Sequence, residues 1–130
     1  MTKNHAIFCD DVRQEITGKF ILVGCYSGVL RTERFPLNIE IAALLGFFPS
    51  SAKFAIRASY ELASGAELAK LEFEGETDSF DGSLVYIPLP KVPVSLSRAD
   101  ELILRASIDG KHVAEVARLR MELGGPPKMR

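Results

Sequence analysis

The sequence predicts an all-β fold, a two-sheet antiparallel β-sandwich. About eight short strand-like segments are separated by turn signals, and no long amphipathic helix interrupts them. An immunoglobulin-like topology fits this rhythm best, with an eight-stranded jelly roll or a C2-like sandwich as alternatives. The sequence has no tryptophan and no Cys–Trp–Cys spacing, so an antibody-type domain is excluded.

The segment Lys53–Glu76 gives the most specific structural prediction. When it is folded back around residues 63–66, apolar side chains face each other on one side and opposite charges on the other. The predicted pairs are Lys53 with Glu76, Ile56 with Phe73, Arg57 with Glu72, Ala58 with Leu71, Ser59 with Lys70 and Tyr60 with Ala69. A slip of one residue would turn every side chain to the wrong face, so this register is strongly specified.

The N-terminal part predicts another hairpin, with strands over His5–Glu15 and Lys19–Ser27. Residues 16–18, Ile-Thr-Gly, fit a type I turn followed by a left-handed glycine. The predicted partners are Val12 with Leu22, Phe8 with Tyr26, and Asp10 with Gly24. Because Phe20–Val23 is apolar on both faces, we expect it to be a central strand.

The two cysteines, Cys9 and Cys25, face each other in this hairpin register. Without a visible secretory signal, free thiols are the expectation. The pair occupies a hydrogen-bonded position, where α-carbons lie about 5.5 Å apart and the side chains diverge, an unfavourable geometry for a disulfide. We therefore expect two buried thiols on one face, and whether they touch is left open.

The middle of the chain predicts further strands. Val29–Glu33 fits a short edge segment, and Leu37–Leu45 fits a strand, with a helix over 41–45 as the alternative. Leu84–Ile87 begins a strand that continues through Pro88, Pro90 and Pro93. Since proline lacks the N–H that a central ladder needs, this strand lies at an edge or crosses between sheets.

A final hairpin joins Glu101–Ser107 to Lys111–Leu123. A three-residue loop at 108–110 sets Leu104 against Ala114 and Leu102 against Val116, which a two-residue loop does not. We therefore expect that register.

Size and charge limit the possible functions. We expect one domain over residues 1–123 and a disordered tail over 124–130. The net charge of −1 and the pI of about 6.1 argue against a nucleic-acid partner. The apolar runs fall short of the roughly 20 residues of a membrane span, and no secretory signal is visible. We expect a cytoplasmic protein.

The run from Phe8 to Tyr26 contains Cys-Asp-Asp-Val-Arg, then Gly-Lys, an apolar strand and Gly-x-Tyr; Phe35-Pro36 follows. This pattern resembles a family of small bacterial and phage proteins of unknown function. The resemblance covers about the first 36 residues. It implies a β-sandwich, and it carries no activity, ligand or catalytic residue.

Asp10, Asp11 and Arg13 form the core of the densest polar group. One interpretation is a carboxylate site beside Arg13, and an enzyme with Asp10 or Asp11 as acid–base catalyst is the less favoured version. The structural alternative, which we favour, places Asp10 over Gly24 and leaves the other charges to protect an exposed edge.

Other catalytic or metal-binding patterns are weak. Asp78 and Asp81 with remote acidic residues lack the spacing of a calcium loop, and His5 and His112 have no ligand partner at zinc spacing. No nucleophile–base pair is visible. We therefore expect no cofactor, no metal and no enzymatic activity.

Phe47, Phe48 and Pro49 suggest an interaction surface, because two adjacent aromatic residues on a strand cannot both point inward. We expect a protein-interaction or scaffold module that self-associates as a homodimer or binds another protein. The alternative is a small-molecule or glycan site lined by Tyr26, Tyr60 or Tyr86.

Overall fold

The computed structural model describes residues 4–78 and 82–124. Within them the chain forms ten strands and no helix, which confirms the predicted all-β fold. The strands are β1 (His5–Cys9), β2 (Asp11–Gln14), β3 (Phe20–Val23), β4 (Val29–Thr32), β5 (Leu37–Phe47), β6 (Lys53–Leu62), β7 (Glu67–Glu76), β8 (Val85–Leu96), β9 (Asp100–Ile108) and β10 (Ala114–Leu123). Apart from Gly124, the predicted disordered tail lies outside the described residues.

Two sheets share one apolar core. One has three strands in the order β1-β5-β8, and the other has five in the order β4-β10-β9-β6-β7. β2 and β3 form a separate two-stranded sheet. The pairing is antiparallel except between β4 and β10, which run parallel. The largest fully buried side chains are Tyr60, Phe47, Ile41, Leu45, Ile56, Leu102, Leu104, Leu119 and Met121.

The predicted hairpin between β6 and β7 is confirmed in its register. All six expected pairs occur, from Lys53 opposite Glu76 to Tyr60 opposite Ala69. A bulge between Tyr60 and Glu61 shifts the ladder just before the turn. The turn closes with a 2.7 Å hydrogen bond from the Leu62 N–H to the Ala66 carbonyl.

The predicted continuous strand over His5–Glu15 is wrong, because the chain changes sheet at Asp10. β1 pairs with β5, and Phe8 and Cys9 are buried there. β2 pairs instead with β3, in the predicted register. An exposed carboxylate cannot continue a row of buried side chains without a large desolvation cost, so the core-facing strand ends before Asp10.

The prediction of a central strand over Phe20–Val23 is also wrong. β3 has β2 as its one strand partner among the described residues. Phe20 and Leu22 are half-buried, while Ile21 and Val23 are exposed. β3 is therefore apolar on both faces, although one face packs against the protein and the other is exposed to solvent.

Both cysteines are free thiols, but only Cys9 is buried. The expectation that Cys25 is buried beside it is wrong. Gly24 has a φ of 65°, a left-handed conformation that ends the ladder before Cys25. The Tyr26 N–H then returns to the Phe8 carbonyl at 2.9 Å, as the hairpin register predicted.

The strand predictions for the middle of the chain are confirmed. β5 is a strand rather than a helix and extends to Phe47, and β4 lies at the edge of the five-stranded sheet. β8 runs unbroken through its three prolines and lies at the edge of the three-stranded sheet. This edge position removes the need for the missing N–H donors.

The register predicted for the last hairpin is wrong. Leu104 lies opposite Ala117 and Leu102 opposite Leu119, with a bulge between Glu115 and Ala117. The connection is longer than three residues, because the ladder begins at the pair of Ala106 with Ala114. The Ser107 hydroxyl donates to the Lys111 carbonyl at 2.5 Å, which holds the chain in a wider turn.

Candidate functional site

The polar residues singled out in the sequence, Asp10, Asp11 and Arg13, lie on the hairpin arm, which we define as residues 11–23, or at its base. β2 and β3 form its two sides, and the Glu15 N–H donates to the Lys19 carbonyl at 2.8 Å to close the turn. Gly18 in that turn has a φ of 92°, as the predicted left-handed glycine requires. The turn and register are therefore encoded locally.

Asp10 lies at the base of the arm, where the chain passes from one sheet to the other. The Tyr26 hydroxyl donates to Asp10 Oδ1 at 2.5 Å. The carboxylate covers Gly24 so closely that a Cβ on residue 24 would overlap Asp10 Oδ2. The predicted placement of Asp10 over Gly24 is confirmed. Burial, followed by the hydrogen bond to this carboxylate, raises the pKa of Tyr26 well above its ordinary value.

Asp11 has different partners from Asp10. Its carboxylate lies 3.2 Å from Arg13 Nε and 3.7 Å from Lys91 Nζ on β8. The hydrogen bond from Arg13 is the main cause that lowers the pKa of Asp11. Asp11 therefore stays ionised at neutral pH, and the two neighbouring carboxylates contact different partners.

Three apolar side chains of the arm are exposed, and two of them lie beside the ion pair of Arg13 and Asp11 on the neighbouring strand. Ile16 at its tip, and Ile21 and Val23 on β3, are exposed. β3 has no charged residue, and its outer edge pairs with no strand of the described chain. Sequence reasoning missed this surface because it took β3 as a central strand. The glycines at 18 and 24 were the available signal, since they enclose only five residues, of which four form β3.

The predicted surface at Phe47, Phe48 and Pro49 is largely closed. Phe47 is completely buried and meets Phe54 edge-on, with ring centroids 4.9 Å apart. Pro49 is buried and Phe48 is half-buried. The Phe48 N–H donates to Asn4 Oδ1 at 3.2 Å. This corner belongs mainly to the protein's own core and offers little apolar surface to a partner.

The three tyrosines considered for a ligand site do not converge. Tyr60 is completely buried between the sheets, and its hydroxyl has no hydrogen-bond partner among the described residues. Tyr26 is engaged with Asp10, and Tyr86 lies on β8 with its ring edge-on to His5 at 5.9 Å. A concave site lined by these side chains therefore does not form.

The described residues contain no group of three or more His, Cys, Asp or Glu side chains arranged to hold a metal ion. Asp81, one half of the weak acidic pattern, lies outside the described residues. The part of the chain described by the structure also contains no helix long and apolar enough to span a membrane.

Comparison with known proteins adds no assignment: no family model matches the chain, and no curated protein matches its sequence. The resemblance of the first 36 residues to small bacterial and phage proteins stays a prediction.

Proposed function

We propose that the protein is a non-catalytic interaction module that forms a homodimer through its hairpin arm. The observation that carries the proposal is the exposure of Ile16, Ile21 and Val23 on an arm whose outer strand has an unpaired edge within the described chain. Exposed apolar groups and free backbone donors and acceptors on one strand are what a second strand covers. A two-fold axis would pair β3 with its copy into a four-stranded sheet.

The chemistry of two other edge strands, β8 and β7, makes them poorer candidates than β3 for this role. β8 carries three prolines, which lack the N–H groups that an added strand would use. β7 carries four glutamates, so two copies of it would repel each other. β3 reads Phe-Ile-Leu-Val, with no charge to oppose pairing with an identical strand.

The strand order supports an immunoglobulin-like scaffold as part of this proposal. In such folds strands A, B and E form one sheet, and C, F and G form the other. Taking β1, β5 and β8 as A, B and E, and β6, β9 and β10 as C, F and G, reproduces that division. β7 would then be the additional strand beside C. We also propose a cytoplasmic location, because a reducing compartment maintains free thiols such as Cys9 and Cys25.

The test is the solution mass, measured by sedimentation equilibrium over a range of concentrations. We expect the wild-type protein to reach twice its chain mass of 14.3 kDa, and the double variant Ile21→Lys/Val23→Lys to remain at the monomer mass. Val113→Lys is the matched control, because Val113 is also exposed but lies just before β10. It should dimerise like the wild type.

Circular dichroism spectra should coincide for all three proteins, so that a loss of dimer is not a loss of fold. A wild-type protein that stays monomeric at high micromolar concentration would exclude the proposal. Equal dimerisation of the Ile21→Lys/Val23→Lys variant would exclude the arm as the interface.

A further inference from the structure

The outer edge of β7 is another unpaired strand edge, with properties opposite to those of β3. β7 is ten residues long, contains no proline, and ends the five-stranded sheet beside β6. Among the described residues, no strand pairs with its outer side. An edge of this length offers a row of backbone N–H and C=O groups to an extended chain.

A groove of about 460 Å³ runs beside this edge, between β7 and β8. The β7 wall includes half-buried Leu71 and Phe73, and the β8 wall includes exposed Pro88 and Pro90. The two prolines have no N–H to compete for a guest backbone. The groove therefore combines a hydrogen-bonding wall on the β7 side with apolar side chains on both sides.

The negative charge of β7 favours a positively charged binding partner. The strand carries four glutamates and one lysine, a net charge of −3. Two of the glutamates have cationic partners: Glu72 lies 3.3 Å from Arg57, and Glu67 lies 3.6 Å from Lys70. Glu74 and Glu76 form no ion pair with any residue that the structure describes. Their carboxylates are available to cations of a partner.

We propose that the β7 edge and its groove bind an extended, basic peptide segment as an added sixth strand of the large sheet. Backbone pairing along β7 would supply affinity, and alternate Lys or Arg side chains would lie opposite the glutamates. A second copy of β7 would not bind here, because its glutamates would lie opposite the glutamates of the first copy. This proposal is independent of the dimer, since it uses a different strand of a different sheet.

The test uses a fluorescein-labelled, terminally blocked peptide of four Lys-Val repeats, titrated with the full chain and followed by fluorescence anisotropy at low salt. We expect saturable binding that the double variant Glu74→Lys/Glu76→Lys weakens at least about tenfold. The control Glu33→Lys/Glu40→Lys makes the same charge change at exposed positions outside β7 and should bind within about twofold of wild type. Equal losses of affinity in both double variants would show that only the net charge of the protein matters, and would overturn the proposal.

Two further peptides separate strand addition from simple attraction. A Lys-Val peptide with N-methyl groups on alternate residues keeps its charge but loses the hydrogen bonds of one edge. We expect it to bind at least about tenfold more weakly, and unchanged binding would overturn strand addition. A Glu-Val peptide should not bind. The Ile21→Lys/Val23→Lys protein should bind the basic peptide as the wild type does, whether or not the dimer forms.

Discussion

Asp109 and Ala55 form a reciprocal hydrogen-bonded pair that ties the last turn to β6. The Asp109 N–H donates to the Ala55 carbonyl at 2.7 Å, and the Ala55 N–H donates to Asp109 Oδ1 at 2.9 Å. The Ser50 hydroxyl lies 3.0 Å from the second carboxylate oxygen. Asp109 also has a φ of 54°, a left-handed conformation that Asp and Asn tolerate better than most residues.

The first prediction concerns this pair. Asp109→Ala leaves the Ala55 N–H without its acceptor and keeps the left-handed strain, so we expect a loss of about 1–3 kcal/mol in the free energy of unfolding. Asp109→Asn retains an acceptor and tolerates the backbone, so its loss should be below about 1 kcal/mol. Urea denaturation measures both. Equal losses would show that the side-chain bond contributes nothing.

Tyr60 gives the second prediction. Its hydroxyl is buried without a partner among the described residues, and such a group lowers stability by its desolvation cost. We expect Tyr60→Phe to leave the free energy of unfolding unchanged or to raise it by about 1 kcal/mol. Tyr60→Ala should lower it by roughly 3–5 kcal/mol, because the ring fills the core beside Phe8. A marked loss in the Phe variant would contradict the absence of a hydroxyl partner.

The close approach of Asp10 to Gly24 gives the third prediction. Gly24→Ala combines a left-handed backbone with a methyl group that overlaps the Asp10 carboxylate, and we expect a loss of about 2–4 kcal/mol. Gly18→Ala is the control, because Gly18 also has positive φ but has open space where its methyl group would lie. It should cost about 1–2 kcal/mol. Asp10→Ala in the Gly24→Ala background should recover the difference, and additive losses would contradict a direct clash.

The fourth prediction is a pH dependence that arises at Asp100. Partial burial raises the pKa of Asp100, but hydrogen bonds from Ser64 and from the Glu101 N–H outweigh it and hold the pKa below its ordinary value of 3.8. Because the folded-state pKa is the lower one, its stabilisation is complete above the unfolded-state pKa and disappears as pH falls through the folded-state pKa.

Asp100→Asn should therefore flatten the loss of stability in acid, measured as urea midpoints between about pH 2 and pH 6. Asp78→Asn, at an exposed position after β7, is the control and should follow the wild-type curve. If the urea midpoint of the Asp100→Asn variant falls in acid as steeply as that of the wild type, Asp100 is not the cause of the pH dependence.

The fifth prediction separates the two thiols. Cys25 is exposed, whereas Cys9 is buried and its burial raises the pKa of its thiol, which lowers the thiolate fraction. With a chromogenic disulfide reagent we expect one fast-reacting thiol in the native protein and the second only after unfolding. Cys25→Ser should abolish the fast phase. Two fast thiols in the wild-type protein would contradict the buried position of Cys9.

Local patterns in the sequence were sufficient to predict the β6–β7 register, because alternating polarity and complementary charges specify neighbours across one short turn. The turn at Gly18 and the position of Asp10 over Gly24 were predictable for the same reason. Proline also placed β8 at an edge without any knowledge of its partners.

The failures came from partners distant in sequence. Asp10 ends the buried row of β1, but the partner of β1 is β5, more than thirty residues later, so the local pattern did not reveal the change of sheet. The register of β9 with β10 was predicted wrongly because Asp109 binds Ala55 on β6. This contact belongs to a wider turn, which shifts the pairing of the two strands. The exposed face of β3 was missed because Ile21 and Val23 look like core residues until the sheet around them is known. The polar residues of the candidate site were therefore located, but its apolar surface was not.

The parallel pairing of β4 with β10 determines when the five-stranded sheet can form during synthesis. Val29 lies opposite Arg120, so β4 stays without its partner until a segment much later in the chain has left the ribosome. β10 is also the neighbour of β9, and its absence would leave one edge of each of the two strands unpaired at once. The nascent chain therefore leaves these edges unpaired until β10 has been synthesised, and termination before residue 114 should yield a product that chaperones and proteases recognise.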